Sequence, residues 1–393
     1  MTKPKTRKVN LGGAIVISAV TLIIGVFIGI NWNKVSNSFL PYLGFKSTTT
    51  TDWSSLDEVY SELVAKYDGN VDKNAVIEGA KKGIAASVGD VYTAYMTAEE
   101  ATDFNKSLHG DVGSGIGVVL AKRDGYIRIV RTLPDNPASK AGILSGDIIY
   151  KINGEPVYTL EADEIATKLR GASGTEVELT VVRDGEEKSF KLTREAINNV
   201  SAYIDYNGNT AIIHVTRFDT DTGSIVRDFT KEFSDKGINK VILDLRDNGG
   251  GYVSAAKDLL SLWIDSKAVL IQKSAKLPDD TTYASHGQAV LSDTKTIVLT
   301  NGSTASASEI VAGALKDYNK ATIIGEKTYG KGVVQQLVNL SGGTLLKVTT
   351  AHWYTPNGNS INGTGITPDK EVTRSYEDIN LNRDPQMDAA LAY

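Results

Sequence analysis

From Ser201 onward the chain repeats one pattern, a short apolar run followed by a stretch with helical spacing. AIIHV (211–215) precedes an expected helix over 221–235, VILDL (241–245) one near 254–264, and TIVLT (296–300) one over 306–317. TIIG (322–325) and strands around 333–354 follow. Buried apolar runs that alternate with helices constrain this half of the chain to an α/β layer fold. No repeat period points to a solenoid.

Composition narrows the classes further. The chain has 393 residues, 41% hydrophobic and 23% charged, a globular balance that excludes collagen-like and disordered chains. Its length suits two or three domains. There is no Cys, which removes thiol nucleophiles, redox pairs and zinc ribbons. His109, His214, His286 and His352 are scattered, and no metal or other cofactor is expected. Lys3, Lys5, Arg7 and Lys8 make the first ten residues basic, whereas the whole chain carries −5. An acidic body has the wrong sign for a nucleic-acid partner, so none is expected.

Residues 11–30 hold no ionisable side chain. At ~1.5 Å per residue such a helix crosses a bilayer core of about 30 Å. A cleaved signal peptide also begins with a basic region, but this run is long for one and no small-x-small site ends it. The positive-inside rule keeps residues 1–10 in the cytoplasm and sends the chain from 31 outward. The expectation is a single-pass cell-membrane protein with an extracytoplasmic body, tethered through a linker over 31–52.

Helical spacing returns over Leu56, Val59, Tyr60 and Leu63, over Val76, Ile77, Ala80, Ile84 and Ala85, and over Thr97–Leu108. There Thr97 and Glu100 form a capping-box pattern. A small helical module over 53–109 is expected. Residues 110–197 change texture: two strands about an Asp124-Gly125 turn, a helix over Leu160–Leu169, and a hairpin on Asp184-Gly185. The core then spans 198–369, and 370–393 form a C-terminal segment with a short helix expected over Asp384–Leu391.

Three strands of the core run into chemistry-bearing residues. LDLRDNGGG (243–251) ends in a glycine triplet, which lets backbone N–H groups face a ligand, as in an oxyanion hole, or serves only as a turn. NGSTASASE (301–309) crosses from strand to helix. Ser306-x-x-Glu309 reads as a capping box, and the same geometry also suits a nucleophile at a helix N-terminus. GEKTYGKGVVQ (325–335) holds Lys331 between two glycines. A lysine in such a turn is either solvated or desolvated enough to become neutral and act as a base. The spacing from Gly325 to Lys331 mimics a phosphate-binding loop, but Gly332 replaces its required Ser or Thr.

Taken together, these segments resemble the carboxy-terminal processing peptidases, or tail-specific proteases. GDVYTAYM (89–96) and WYTPNGNSINGTGITPD (353–369) extend the resemblance, which covers roughly residues 55–370 in the family's order. It implies a PDZ-like domain over 110–197 and a crotonase/Clp-protease-like α/β protease core. With the anchor and helical module, the expected fold class is α/β and α+β multidomain. Carried over by position, the resemblance makes Ser306 the nucleophile, Lys331 the general base and Gln335 the residue that orients the lysine. The N–H groups of Ala307 and of Gly251 or Gly250 would form the oxyanion hole. Gly249, Val91 and Lys327 stand where proline is common in the family, so a floppier glycine loop is expected.

Ser114-Gly115-Ile116-Gly117 resembles the loop with which PDZ domains hold a peptide's terminal carboxylate. A bound peptide would pair beside Ile116–Leu120, with Val118, Ile165 and Leu169 lining an apolar pocket. The expected function is a membrane-anchored extracytoplasmic serine endopeptidase acting on proteins with free, apolar C-termini. The alternative is a catalytically silent PDZ adaptor at the membrane. The C-terminal helix is read as a support for homodimer contacts.

Overall fold

The computed structural model describes residues 53–123, 125–276, 280–381 and 383–393, with 18, 20–22 and 24–26. The expected cytoplasmic tail, the linker, the Asp124 turn position and most of the apolar run over 11–30 lie outside these. Among the described residues no helix is long and apolar enough to cross a membrane. The chain divides into a unit ending at Gly79 and a compact unit from Ala80 to Tyr393.

The first unit contains α1 (Ser54–Lys66), which buries none of its residues, and the start of α2 (Lys73–Ala86). The second begins in the remainder of α2. The sequence pattern treats 53–109 as one helical module, but the structure departs from it. Ala94–Met96 form β1, paired antiparallel with Leu345–Lys347 of the core. Tyr95 alternates inward on that strand and is buried, so the segment joins the core instead of a helical bundle. α3 (Ala98–Leu108) follows, with Thr97 and Glu100 making both arms of the capping box.

The middle unit is an antiparallel sheet of β2 (Val118–Arg123), β3 (Tyr126–Thr132), β4 (Ile148–Ile152), β5 (Glu176–Arg183) and β6 (Glu186–Thr193), in that order. Strand β2 forms its edge. α4 (Ala162–Leu169) covers the apolar face, burying Ile165 and Leu169 against Ile129, Leu179 and Val181. Ser114–Gly115 pair with Glu195–Ala196, so the chain enters and leaves the unit side by side.

The core carries two sheets. One runs β7 (Ala202–Asn207), β8 (Thr210–Val215), β9 (Lys240–Asp244), β12 (Lys295–Thr300), β13 (Thr322–Gly325) and β16 (Lys370–Glu371). Beyond β8 every neighbour is parallel. Its middle strands are almost wholly buried, as continuous apolar runs in a parallel sheet must be. Helices α5 (Thr222–Thr230), α6 (Val253–Leu260) and α7 (Ala307–Asp317) contribute to the main hydrophobic cluster. α8 (Pro385–Ala392) packs Ala390 on a second cluster with Ile242, Ile297, Leu299 and Ile324. Ala390, on the helix read as a support for homodimer contacts, thus packs within the chain. The other sheet joins β10 (Ala268–Lys273), β11 (Thr281–Ala284), β14 (Val333–Asn339) and β15 (Leu345–Tyr354) to β1.

Parallel order decides where the chemistry collects. Strands β9, β12 and β13 are adjacent and point the same way, with Asp244 opposite Leu299 and Thr300 opposite Gly325. Their carboxyl ends therefore release three loops at one edge, the usual place for a site in an α/β sheet.

Candidate active site

The loops over 245–251, 301–306 and 326–332 are laced by backbone and side-chain hydrogen bonds. Thr304 Oγ1 donates to Leu245 O at 2.9 Å, Asp247 N–H to Asn301 Oδ1 at 3.0 Å, and Tyr329 N–H to Thr304 O at 3.0 Å. Gly325 has to be glycine: a Cβ there would lie 2.2 Å from Thr300 O.

Asn248 anchors the glycine loop. Its fully buried side chain donates to Val215 O at 2.7 Å and accepts from Gly250 N–H at 2.9 Å. Its carbonyl accepts from Ala305 N–H at 3.0 Å and from Ser308 Oγ at 2.9 Å. Two consequences follow for the expected oxyanion donors. The Gly250 N–H is already engaged, which removes it from the set. Among the described residues the N–H groups of Gly251 and Ala307 have no acceptor. Gly251, at φ +145, is held by the Phe218 backbone, whose N–H donates to Gly250 O and whose carbonyl accepts from Tyr252 N–H, each at 2.9 Å.

Ser306 stands at the N-cap of α7 with φ 58 and ψ −116, a strained setting for a residue with a side chain. It makes no side-chain cap hydrogen bond. The Glu309 arm of the expected box is present, accepting from Ser306 N–H at 2.8 Å. The capping-box contact of its hydroxyl with the Glu309 N–H is present too, but falls short of a hydrogen bond. A strained serine between strand and helix, with its hydroxyl only loosely engaged, has the form of a nucleophile elbow.

Lys331 is half-buried, and its carbonyl accepts from Trp353 Nε1 at 3.0 Å. Its ammonium lies 5.3 Å from the centre of the Tyr92 ring. Burial, and then the like charge of Lys347, lower its pKa below the ordinary lysine value, with Glu309 opposing them. No hydrogen bond joins Ser306 Oγ to Lys331 Nζ. The buried Gln335 Nε2 has no partner among the described residues. The fifth segment backs this loop: Gly363 N–H donates to Gly330 O at 2.8 Å, and Thr328 N–H to Ile366 O at 3.1 Å.

Sequence reasoning missed Glu309 as more than a cap, and missed Asn248 and Tyr92. Glu309 is fully buried and also accepts from Thr328, Gly330 and Lys331. A carboxylate on the inward face of an otherwise apolar helix (EIVAGAL) was the available signal. The neighbouring hydroxyls and amines lie outside this network. Ser303 and Lys327 are exposed, Ser308 serves Asn248, and Lys316 pairs with Asp369 at 2.8 Å.

In the middle unit a cavity of about 170 Å³ is lined by Gly115, Ile116, Gly117, Val118, Ala166 and Leu169, among others. Ile165 does not line it. It points into the unit's own core and is fully buried, while Ala166, one position on, faces the cavity. Gly117, at φ +78, lets the loop pass Asn136, whose Cβ would be 2.3 Å from an added methyl. The N–H groups of Ile116 and Gly117 have no acceptor among the described residues.

Residues 209–372 match Peptidase family S41, and residues 128–183 match the PDZ domain. A probable CtpA-like serine protease of Staphylococcus aureus (strain COL) is 35% identical over 372 residues, spanning 94% of this chain and 73% of the relative. A namesake in Staphylococcus epidermidis (strain RP62A) is 33% identical over 86% of this chain and 69% of its own length. Among solved structures, the photosystem II D1 C-terminal processing protease superposes with a TM-score of 0.56 at 26% identity, covering 84% of this chain and 89% of that one. A putative S41 protease from Bacteroides fragilis shares the fold, with a TM-score of 0.57 at 18% identity over 88% and 98% of the two chains. The chain belongs to peptidase family S41. It is a serine peptidase that carries a PDZ domain.

Proposed function

We propose that this chain is a membrane-anchored, extracytoplasmic endopeptidase working with a Ser306–Lys331 dyad. The observation that carries the reading is a strained Ser306, its hydroxyl without a hydrogen bond, on a loop next to the one that bears a half-buried Lys331 of lowered pKa. Neutral Lys331 takes the Ser306 proton, and Oγ attacks the peptide carbonyl. The resulting oxyanion is stabilised by the N–H groups of Gly251 and Ala307. Lys331 then gives the proton to the leaving amine, and an acyl-enzyme forms. Water, deprotonated by Lys331, hydrolyses the ester and restores Ser306. Gln335, whose Nε2 is unpaired in the resting fold, orients the lysine. Catalytic hydrogen bonds are often long in free enzymes and tighten on substrate.

Substrates dock through the PDZ domain, with the terminal carboxylate on the Ile116 and Gly117 N–H groups and an apolar side chain in the cavity beside Ala166 and Leu169. The open edge of β2 accepts the peptide as an added strand. Anchoring rests on the uncharged run over 11–30. The test is full-length protein in detergent with an unstructured substrate ending in apolar residues. Ser306→Ala and Lys331→Ala should each abolish cleavage with the fold intact. Peptide binding without turnover by the wild type would favour an adaptor, and equal turnover by all three proteins would refute the dyad.

A further inference from the structure

We infer that Glu309 is a positioning residue, whose carboxylate fixes the nucleophile's loop to the base's loop. This rests on the Ser306–Lys331 reading above. One fully buried carboxylate gathers four donors. Oε1 accepts from Thr328 Oγ1 at 2.5 Å and from Gly330 N–H at 2.7 Å. Oε2 accepts from Ser306 N–H at 2.8 Å and from Lys331 N–H at 2.9 Å. Thr328 Oγ1 itself accepts from Ile366 N–H at 2.7 Å, so its own proton is free for Glu309. Four donors match the four lone-pair sites of a carboxylate.

Helix capping accounts for the Ser306 bond alone. The other three reach 19 to 22 residues along the chain, and two of them hold the residues on which Lys331 turns. Burying a carboxylate with no cation bonded to it is expensive, and a neutral side chain would serve a cap with less desolvation. The charge has two uses here. Charge-assisted hydrogen bonds are the shorter and stronger kind, so the two loops are held firmly. The negative charge also offsets what burial and Lys347 do to Lys331, setting how readily the base gives up its proton. The other groups facing that amine are the Tyr92 ring and, beyond it, Tyr329, which neighbours Tyr92.

The experiment uses the full chain in detergent and compares wild type, Glu309→Gln and Ser306→Ala. It follows covalent labelling of Ser306 by a fluorophosphonate across pH, together with thermal unfolding. Glutamine turns one acceptor oxygen into a donor, so two of the four N–H or O–H groups lose their partner. Labelling should slow by about 10²-fold. The acid limb of its pH profile should move down by about one unit, because Lys331 loses a neighbouring negative charge. Slower labelling with an unmoved limb would make Glu309 structural only and overturn the inference. Should the variant misfold, hydrogen exchange on the wild type decides. The Gly330 and Lys331 amides should exchange about 10²-fold more slowly than the exposed Lys327 amide, and equal rates would overturn the clamp. Failure of wild-type Ser306 to label while those amides stay protected would sink the dyad, and the positioning role with it.

Discussion

Replacing Gly250 with alanine puts a methyl group against Ser306, the proposed nucleophile. The added carbon would lie 2.7 Å from Ser306 Cβ, 2.8 Å from Ala305 O and 2.9 Å from Ala307 N, on a backbone at φ +103. Non-bonded carbons are at ease at about 3.5–4.0 Å, so the glycine loop and the start of α7 must separate by roughly 1 Å. All three crowded atoms belong to loop or helix backbone, or to the Cβ of Ser306, so no flexible tip can give way. Overpacking of this kind destabilises by about 1–3 kcal/mol. The larger effect is kinetic, because the displacement moves Ser306 and the Ala307 donor together. Loss of one oxyanion donor lowers kcat by about 10²–10³-fold. The neighbouring position supplies the control. At Gly249 an added Cβ meets nothing within 4 Å and φ is not left-handed, so Gly249→Ala should keep full activity and gain about 0.4–1 kcal/mol. Thermal unfolding and single-turnover acylation measure both quantities. Wild-type acylation by folded Gly250→Ala would refute the placement of the loop against Ser306. Equal losses in the two variants would show that something other than crowding is responsible.

The remaining predictions concern charge and recognition. Lys347 lowers the Lys331 pKa, and the proposed mechanism needs the neutral amine. Lys347→Met should therefore move the acid limb of the activity profile to higher pH, opposite to Glu309→Gln, as a pH–rate series would show. Burial works to raise the pKa of Asp244, but Arg246, with side-chain hydrogen bonds at 2.9 and 2.7 Å, and His214 hold its carboxyl far below the usual range. Such a contribution to stability is fully present above the unfolded value of about 3.9 and fades only as pH falls through the folded one. Asp244→Asn, which leaves Arg246 short of a charge, should lose about 3 kcal/mol at neutral pH in urea unfolding, with the gap narrowing in strong acid. Ala166→Phe should fill the PDZ cavity and weaken binding of an apolar C-terminal peptide about tenfold or more with kcat unchanged, checked by calorimetry and steady-state kinetics.

What could be read from the sequence follows from what leaves a local trace. The apolar runs at 211–215, 241–245 and 296–300 announce buried strands, and α7 begins one residue after Ser306 as the pattern suggests. Ala94–Met96 leave no such trace: three residues between two helices become a strand only because Leu345–Lys347 offer an edge. Ile165 and Ala166 show a related limit. Apolar spacing identifies the buried face of α4 but does not separate the residue that fills the core from its neighbour at the cavity. Lys331 was recognisable as a candidate from its flanking glycines, whereas the influence of Lys347 and Tyr92 comes from segments distant in sequence.

The two buried polar side chains that the sequence hides explain why the groups of the proposed mechanism can be left unpaired. A nucleophile, its base and the oxyanion donors must keep free valences in the resting fold, and unpaired polar groups normally loosen the backbone that bears them. Here the backbone is satisfied by other means. Asn248 takes Gly250 N–H and Val215 O into one buried amide, and Glu309 takes the N–H groups of Ser306, Gly330 and Lys331 into one buried carboxylate. What remains without a hydrogen-bond partner among the described residues is the set the proposed mechanism calls for: the Ser306 hydroxyl, the Lys331 amine and the N–H groups of Gly251 and Ala307. The same division accounts for Gly249. A proline there would stiffen the loop through its own ring, but with Asn248 bonded on both sides the loop is already fixed. The absence of that ring then bears on the entropy of the unfolded chain more than on the geometry of the oxyanion hole.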